Sequence, residues 1–158
     1  MIMATAPLTF GGEETFSVPP ERLFAALTDL DQLLKTIPDL VSSEKIDDRT
    51  LHCVVRPGFS FLRGTLRLAI TIVDRDAPKS ASMRISADGI AAHISIESRL
   101  QIDPIEGGSR LAWTAAVVEL KGLVATISRG LISAAAERTI KSAWARVHAE
   151  VDETSPKR

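Results

Sequence analysis

The feature of this chain that most constrains its fold is a series of strand-like segments closed by one long helical segment. A first strand is predicted over residues 9–18, and two short helices follow it before the next strand begins at Val41. Asp29 is predicted to end the first helix and to cap the second, over residues 30–36. Strand-like segments then continue to residue 117, with turns predicted over residues 74–78 and at Asp88-Gly89, and a helical pattern runs from about residue 123 to 151. This order predicts an α+β fold in which a curved antiparallel sheet of about six to seven strands wraps around the C-terminal helix.

The strand segments carry apolar residues on one face and polar or small residues on the other. In residues 64–73 the alternation runs from Leu66 to Ile72, and a second long alternation runs from Ile94 to Ile102. One-sided alternation is typical of an antiparallel sheet that is covered on one face only. The terminal helix is the long element available to cover it, so we expect this helix to lie across the sheet.

Size and composition limit the kinds of protein that this chain can be. Its 158 residues suffice for one domain, which we expect over residues 1–151 with a frayed polar tail at 152–158. The net charge of −1 leaves no basic excess for phosphate contacts, which argues against nucleic acid as a partner. No apolar run reaches the ~20 residues that span a bilayer, and the N-terminus lacks a signal-peptide pattern. The sequence therefore predicts a soluble, cytoplasmic protein whose membrane contact is at most peripheral.

The sequence offers few groups for catalysis or metal binding. The single cysteine, Cys53, excludes an internal disulfide and has the inward phase of a small apolar residue. His52 and His93 have the outward phase of their strands, and His148 falls on the polar side of the terminal helix. No ligand set for a metal converges, and no nucleophile lies beside a base. We expect no catalytic residue, no metal and no cofactor.

The buried face of the terminal helix consists mostly of small residues. On a helical wheel Glu137 and Lys141 lie on the polar side, opposite this face. The members of the buried face are Val124, Ser128, Ile132, Ala135, Ala136, Thr139, Ala143 and Val147. A helix that fills a core tightly normally presents larger side chains, because protein interiors leave no large voids. The small residues either make room for the bulky Met83 and Trp113 or leave a cavity, and the pattern alone does not decide between the two.

An apolar segment between two strands is a second candidate for function. Phe59, Phe61 and Leu62 stand there between Arg56 and Arg63. Apolar side chains flanked by arginines are suited to gate a pocket or to touch a membrane surface. The alternative is a hairpin tip that folds over its own core.

Residues at opposite ends of the chain together form the pattern of a known family. The first group comprises Phe16, Val18, Pro20, Glu21, Phe24, Leu27, Asp29, Ile37 and Pro38. The second comprises Gly64, Pro78, the run Gly108-Ser-Arg-Leu-Ala-Trp113, Gly122, Leu131, Ile132, Ala135 and Ala136. From Phe16 to Val147 this pattern resembles the CoxG family of carbon monoxide dehydrogenase subunits, within the START-like (SRPBCC) superfamily that includes polyketide cyclases and lipid-transfer proteins. The chain departs from it at Leu30, Asp39 and Lys121, where the family has proline, glycine and glycine.

The resemblance carries expectations for both fold and role. It implies a helix-grip fold, in which an antiparallel sheet grips the long C-terminal helix with a cavity between them. It also implies a non-catalytic role that assists a molybdenum hydroxylase through membrane recruitment, through quinone or lipid handling, or through maturation. The matched positions mostly shape the fold, so the resemblance bears on architecture more than on mechanism.

The pattern and the resemblance together predict an accessory protein that binds a hydrophobic small molecule, lipid-like or quinone-like, between sheet and helix. The predicted cavity lining consists of Phe24, Val55, Leu68, Met83, Ile96, Trp113, Ile132, Ala135 and Thr139. One alternative is a cyclase- or dehydratase-like enzyme on the same fold, which would need a buried polar pair such as Ser98 with Thr139 or His93. The other is a protein with a filled core that acts through its surface as an assembly factor.

Overall fold

The computed structural model describes residues 8–58, 64–89 and 91–154, with side chains as far as Val151. Its strands are β1 (Leu8–Phe16), β2 (Leu40–Lys45), β3 (Thr50–Val55), β4 (Leu66–Asp76), β5 (Ser80–Gly89), β6 (Ala92–Ile105) and β7 (Gly108–Gly122). Its helices are α1 (Pro20–Thr28), α2 (Leu30–Leu33) and α3 (Arg129–Thr154). Two 3₁₀ turns accompany them, at Leu34–Thr36 and Leu123–Thr126.

The strands form one seven-stranded antiparallel sheet in the order β1-β7-β6-β5-β4-β3-β2, which makes β1 and β2 its edges. Each strand from β2 to β7 pairs with its neighbour in sequence, and β1 pairs with β7. This sheet and the long terminal helix confirm the predicted α+β helix-grip fold. We call the face of the sheet toward α3 the inner face and the opposite one the outer face.

The two short helices begin and end where local chemistry requires. Pro20 opens α1, where its missing N–H and fixed φ cost nothing. Asp29 ends α1 and caps α2, since its Oδ1 accepts the backbone N–H of Asp31 at 2.9 Å. This confirms the predicted cap. The second helix is shorter than predicted, because α2 ends at Leu33 and gives way to the 3₁₀ turn.

The last strand runs further than its alternation predicted. Its predicted extent is residues 111–117, whereas β7 spans Gly108–Gly122. In its ladder with β6, Val117 pairs with Ile96 but Leu120 pairs with Ile94, so β7 carries one extra residue between the two pairs. This bulge changes the phase of the alternation and hides the end of the strand from a simple period-two pattern.

Two predicted turns belong instead to strands. Asp88 and Gly89 end β5, where Asp88 is held in the ladder opposite His93. The predicted turn over residues 74–78 begins only after Asp76, the last residue of β4. In both places cross-strand partners extend the ladder into residues whose types favour turns.

Two glycines of the family-like pattern are required by close backbone approach. A Cβ on Gly108 would overlap the carbonyl oxygen of Phe16, at the end of β1. Gly122 has a φ of 79°, and a Cβ there would overlap the carbonyl oxygen of Ala91. The two contacts join the ends of β7 to the ends of neighbouring strands, so these glycines hold the sheet's connections close.

The terminal helix begins later than predicted. Leu123–Thr126 form a 3₁₀ turn, and Ser128 then caps α3 by accepting the N–H of Leu131 on its Oγ at 3.2 Å. Ser128 is exposed, so its predicted place on the buried face of the helix is wrong. The backbone of α3 comes closest to β1, α1 and the Leu34–Thr36 turn. Among the described residues no helix is both long enough and apolar enough to cross a membrane.

Buried apolar side chains form two core clusters on the inner face. Members of the first core cluster, which packs α1 and the end of α3 against the sheet, include Leu23, Phe24, Met83, Leu111 and Val151. Members of the second core cluster, near the start of α3, include Leu8, Val55, Leu66, Val124 and Ile132. Full burial of one such side chain stabilises the fold by about 1.5–3 kcal/mol. The clusters hold the helix near its two ends.

Candidate functional site

Between the two core clusters the inner face carries apolar side chains that are only half-buried. Ile85 packs against the first core cluster and Val117 against the second, while Ile96 pairs with both in the β-ladder. Leu68 contacts both clusters. These four half-buried residues, Leu68, Ile85, Ile96 and Val117, are the central inner face.

The helix presents small side chains at the same level. Ala135 and Thr139 lie between Ile132 and Val147 along α3, and both are half-buried where these two are buried. The Thr139 hydroxyl donates to the Ala135 carbonyl oxygen at 3.0 Å, so the helix itself satisfies it. Both the sheet and the helix therefore retain accessible apolar surface here, as expected where packing between two elements is incomplete.

Four of the nine predicted lining residues are buried in the two core clusters, and a fifth is half-buried and contacts both. Phe24 and Met83 are buried in the first core cluster, and Val55 and Ile132 are buried in the second. Leu68 bridges the two. Their role as ligand contacts stays a prediction.

The other four predicted lining residues are half-buried. Ile96 lies on the central inner face, Ala135 and Thr139 lie on α3, and Trp113 lines a cleft at the edge of the sheet. These residues thus belong to both the sheet and the helix, and their role as ligand contacts stays a prediction. Outside the described residues lie the predicted gate residues Phe59, Phe61 and Leu62.

The cleft at the sheet's edge has a volume of about 620 Å³ and lies between β1 and α3. Its apolar wall contains Phe10, Trp113, Ile140 and Trp144. The two indole rings contact each other, with centroids 5.8 Å apart and planes tilted by 40°. Both tryptophans of the chain therefore lie at this cleft.

Trp144 lines the cleft but was not among the predicted lining residues. A signal for it was present, because Trp144 continues the row of Ile132, Ala136 and Ile140 at steps of four residues. The predicted face of the helix ran on through Ala143 to Val147 but passed over Trp144 between them.

One end of the cleft is polar. His148 Nε2 lies 2.9 Å from Glu14 Oε1, and the imidazole ring stacks on Phe16 with centroids 4.2 Å apart. The prediction that His148 lies on the polar side of the helix is wrong, because one turn beyond Trp144 it faces β1 and is half-buried. The contact links α3 to the edge strand at the rim of the cleft.

The wall of the cleft contains a hydrogen-bond donor without an acceptor. Trp113 Nε1 is buried and has no partner among the residues that the structure describes. The edge of its indole ring lies against Gly12 of β1, where a Cβ would come within 3.3 Å of Nε1. A buried N–H normally finds an acceptor, and leaving one unsatisfied costs about 1–3 kcal/mol.

On the outer face, His93 belongs to an ionic cluster. The outward phase of its strand had instead predicted a side chain surrounded by solvent. Its Nδ1 lies 2.7 Å from Asp88 Oδ1, its Nε2 lies 3.0 Å from Glu119 Oε1, and Lys121 lies 3.0 Å from Glu119 Oε2. The hydrogen bond to Asp88, followed by that to Glu119, raises the pKa of His93. Lys121 and then His93 lower the pKa of Glu119. The cluster ties β5, β6 and β7 together.

In the described part of the chain, the polar groups that the enzyme alternative requires form no hydrogen-bonded pair. His93 is on the outer face, Ser98 is on the inner face, and the Thr139 hydroxyl is bonded to its own helix. In residues 8–58, 64–89 and 91–151 no three metal-binding side chains come together either. The described geometry offers hydrophobic contact rather than acid–base chemistry.

A shallow hollow of about 490 Å³ lies mainly on the outer face, across β2 to β5. Glu44, His52, Arg67 and Asp88 contribute to its lining. Cys53 lies beneath it and is buried, and this burial raises the pKa of the thiol. A thiol that stays protonated is a poor nucleophile, so Cys53 is a packing residue as predicted.

The curved antiparallel sheet and the long terminal helix define a START-like helix-grip protein, and solved structures share this architecture. A conserved protein from Geobacillus kaustophilus superposes with a TM-score of 0.85 at 20% identity, covering 93% of this chain and 97% of that one. A START superfamily protein from Mycobacterium smegmatis gives a TM-score of 0.70 at 11% identity, over 93% and 99% of the two chains. Ara h 8.0201 gives 0.68 at 18% identity, over 94% and 100%. At these identities the likeness concerns the fold alone.

The chain belongs to the CoxG family of carbon monoxide dehydrogenase subunits, whose model matches residues 12–152. The match confirms the resemblance drawn from the two end segments. No protein of curated function matches the chain significantly.

Proposed function

We propose that this protein is a non-catalytic accessory protein that binds a hydrophobic small molecule, lipid-like or quinone-like, between the sheet and α3. The observation that carries the proposal is the half-buried central inner face, set on the same side of the sheet as the small residues of α3. Family membership and the START-like fold support a ligand-binding role.

The apolar side chains of the central inner face keep accessible surface that a ligand can cover. Side chains such as Ile96 and Val117 are half-buried and gain only part of the about 1.5–3 kcal/mol that full burial provides. An apolar ligand between these side chains and Ala135 would cover the remaining area of both surfaces. Ligand sites in proteins are mostly apolar and contain few polar groups, which matches the residues on the two surfaces.

The proposed partner is a molybdenum hydroxylase that the protein assists. The support for this part is the family, which is described as a subunit of carbon monoxide dehydrogenase. A non-catalytic role agrees with the absence, in the described residues, of a hydrogen bond between Ser98 and either His93 or Thr139.

A substitution on α3 tests the binding site. Ala135→Trp places a bulky ring in the proposed space, so binding of the apolar fluorescent probe N-phenyl-1-naphthylamine should weaken by at least about tenfold. Ala134→Trp is the matched control, because Ala134 is the exposed neighbour on the same helix. Equal probe binding by the folded Ala135→Trp variant and by the control would contradict the proposal.

A further inference from the structure

We infer that the cleft between β1 and α3 binds the hydroxyaromatic ring of a neutral ligand, with the ring against Trp113 and Trp144 and its hydroxyl group at Glu14. The inference rests on the proposed function and deepens it by naming a ligand class and the place of its polar end. It concerns the rim of the space under α3, whereas the proposed function concerns the apolar interior.

The aromatic wall selects a planar ring. The chain has two tryptophans and no tyrosine, and both tryptophans line this cleft together with Phe10. The planes of the two indole rings are tilted by 40° relative to each other, and both tryptophans are half-buried. They therefore keep apolar surface that a ligand can contact. Aromatic faces prefer offset or tilted contact with another ring, and this gain comes in addition to the burial of apolar surface.

The hydrogen-bonding groups select a hydroxyl on that ring. Glu14 Oε1 is hydrogen-bonded to His148 Nε2. Glu14 Oε2 has no partner in the described part of the chain and can accept a hydrogen bond from a ligand. Trp113 Nε1 is a donor that lacks an acceptor there. The Trp113 N–H is buried against Gly12, so the reachable group is Glu14, to which a hydroxyl group can donate. A ketone oxygen would face this carboxylate with lone pairs.

The strand register places these two groups close together. Gly12 of β1 is the Cα partner of Trp113 of β7, and Glu14 lies two residues further along β1 on the same face. Diagonal neighbours of this kind are about 7–8 Å apart at Cα, within reach of long and aromatic side chains. A single ring that contacts the indole of Trp113 can therefore direct a substituent toward Glu14.

The charges around the cleft favour a neutral ligand over an acidic one. On α3, Glu137 lies one turn from Lys141 at the same cleft, so these two charges offset each other. Glu14 is hydrogen-bonded to His148 through Oε1, and its carboxylate would repel a carboxylate on the ligand. This separates a phenol-type ring from a charged aromatic acid.

Two probes that differ in one hydrogen-bond donor test the inference. 2-Naphthol carries the hydroxyl, and 2-methoxynaphthalene has the same ring without the donor. We expect 2-naphthol to bind about tenfold more tightly at neutral pH, since a hydrogen bond to a carboxylate is of the strong class. In ¹H–¹⁵N spectra both indole N–H signals should shift on binding, because both tryptophans lie at the cleft.

Glu14→Gln should weaken 2-naphthol binding about tenfold and leave 2-methoxynaphthalene unchanged, which also shows that the variant's cleft is intact. Glu13→Gln is the matched control, since Glu13 is the exposed neighbour on β1. Equal affinities of the two probes, or equal effects of the two substitutions, would overturn the inference.

The outcome is separable from that of the proposed function. If N-phenyl-1-naphthylamine binding depends on Ala135 while 2-naphthol shows no preference over its methyl ether, the cleft inference is wrong and the proposed function stands. If 2-naphthol binds at the tryptophans and responds to Glu14→Gln while Ala135→Trp has no effect on the apolar probe, the cleft is supported and the interior site is wrong.

Discussion

At the scale of single residues, the outer face contains a histidine whose two ring nitrogens each lie within hydrogen-bond distance of a carboxylate. His93 is held between Asp88 of β5 and Glu119 of β7, and Lys121 binds the second oxygen of Glu119. The hydrogen bond to Asp88 is the main cause of the raised pKa of His93. Folding therefore favours the protonated imidazole, and the contribution of His93 to stability depends on pH.

The sign of this dependence follows from the raised pKa. The contribution of His93 is fully present below its unfolded pKa of 6.5 and is lost as the pH rises through the higher folded value. The lowered pKa of Glu119 has the opposite effect at acidic pH. The contribution of Glu119 to stability is present above its unfolded pKa of 4.5 and is lost as the pH falls through the lower folded pKa. The cluster should stabilise the fold most between these limits.

His93→Gln tests this cluster. The free energy of unfolding, measured in urea between about pH 5 and pH 8, should fall less steeply with rising pH in the variant than in the wild type. His52→Gln is the control, because His52 is exposed on β3. Parallel curves for wild type and His93→Gln would contradict the assignment.

Residue-level predictions from the sequence succeeded where chemistry is local and failed where partners are distant. The cap at Asp29 follows from residues two and three positions away, and the inward phase of Cys53 follows from its own strand. The strand phase of His93 and the wheel position of His148 predict solvated side chains. Glu119 and Glu14 are far away in sequence, and Asp88 faces His93 only across the ladder of β5 and β6, so the fold brings these partners together.

At the scale of elements, α3 is packed against the rest of the fold by buried residues near its two ends. Val147 and Val151 bury completely against the first core cluster, and Ile132 buries in the second. Ala135 and Thr139 between them remain half-buried. The middle of the helix should therefore accept additional volume, whereas the packed parts of the fold should not.

Ala135→Leu measures this difference. In an unfilled space the larger side chain should leave the stability unchanged or raise it by about 0.5–2 kcal/mol. The matched control is Ala26→Leu on α1, where Ala26 is 3% exposed and overpacking should cost about 1–3 kcal/mol. The measurement is the free energy of unfolding from denaturant titration of both variants. A loss at Ala135 as large as that at Ala26 would show a filled interior.

The alternation of apolar and polar side chains predicts strand boundaries where a strand is regular, but not where a bulge interrupts it. The single-face alternation from Leu66 to Ile72 predicted β4 because that strand is regular over this stretch. The bulge between Val117 and Leu120 hid the end of β7, since a bulge changes the phase without a sequence signal as strong as proline or glycine. Ser128 was assigned to the buried face because a helical wheel contains no information on where the helix begins.

At the scale of the whole molecule, the order of elements sufficed to predict the architecture. An antiparallel sheet with one apolar face needs one cover, and the chain supplies one long helix at its end. The site was less accessible to prediction. Whether small residues on a helix leave a space depends on how closely the helix approaches the sheet, and that distance is set largely by buried residues such as Val147 and Val151, several turns from Ala135 along the helix.

The central claim is that the space between the central inner face and α3 holds a hydrophobic molecule. The most direct measurement is a native mass spectrum of the protein purified without denaturant, followed by extraction and identification of what is released. We predict a stoichiometric apolar adduct on the wild type and on Ala134→Trp, and its absence from Ala135→Trp. An adduct of equal stoichiometry on Ala135→Trp, or a bare mass for the wild type together with no binding of N-phenyl-1-naphthylamine, would contradict the claim.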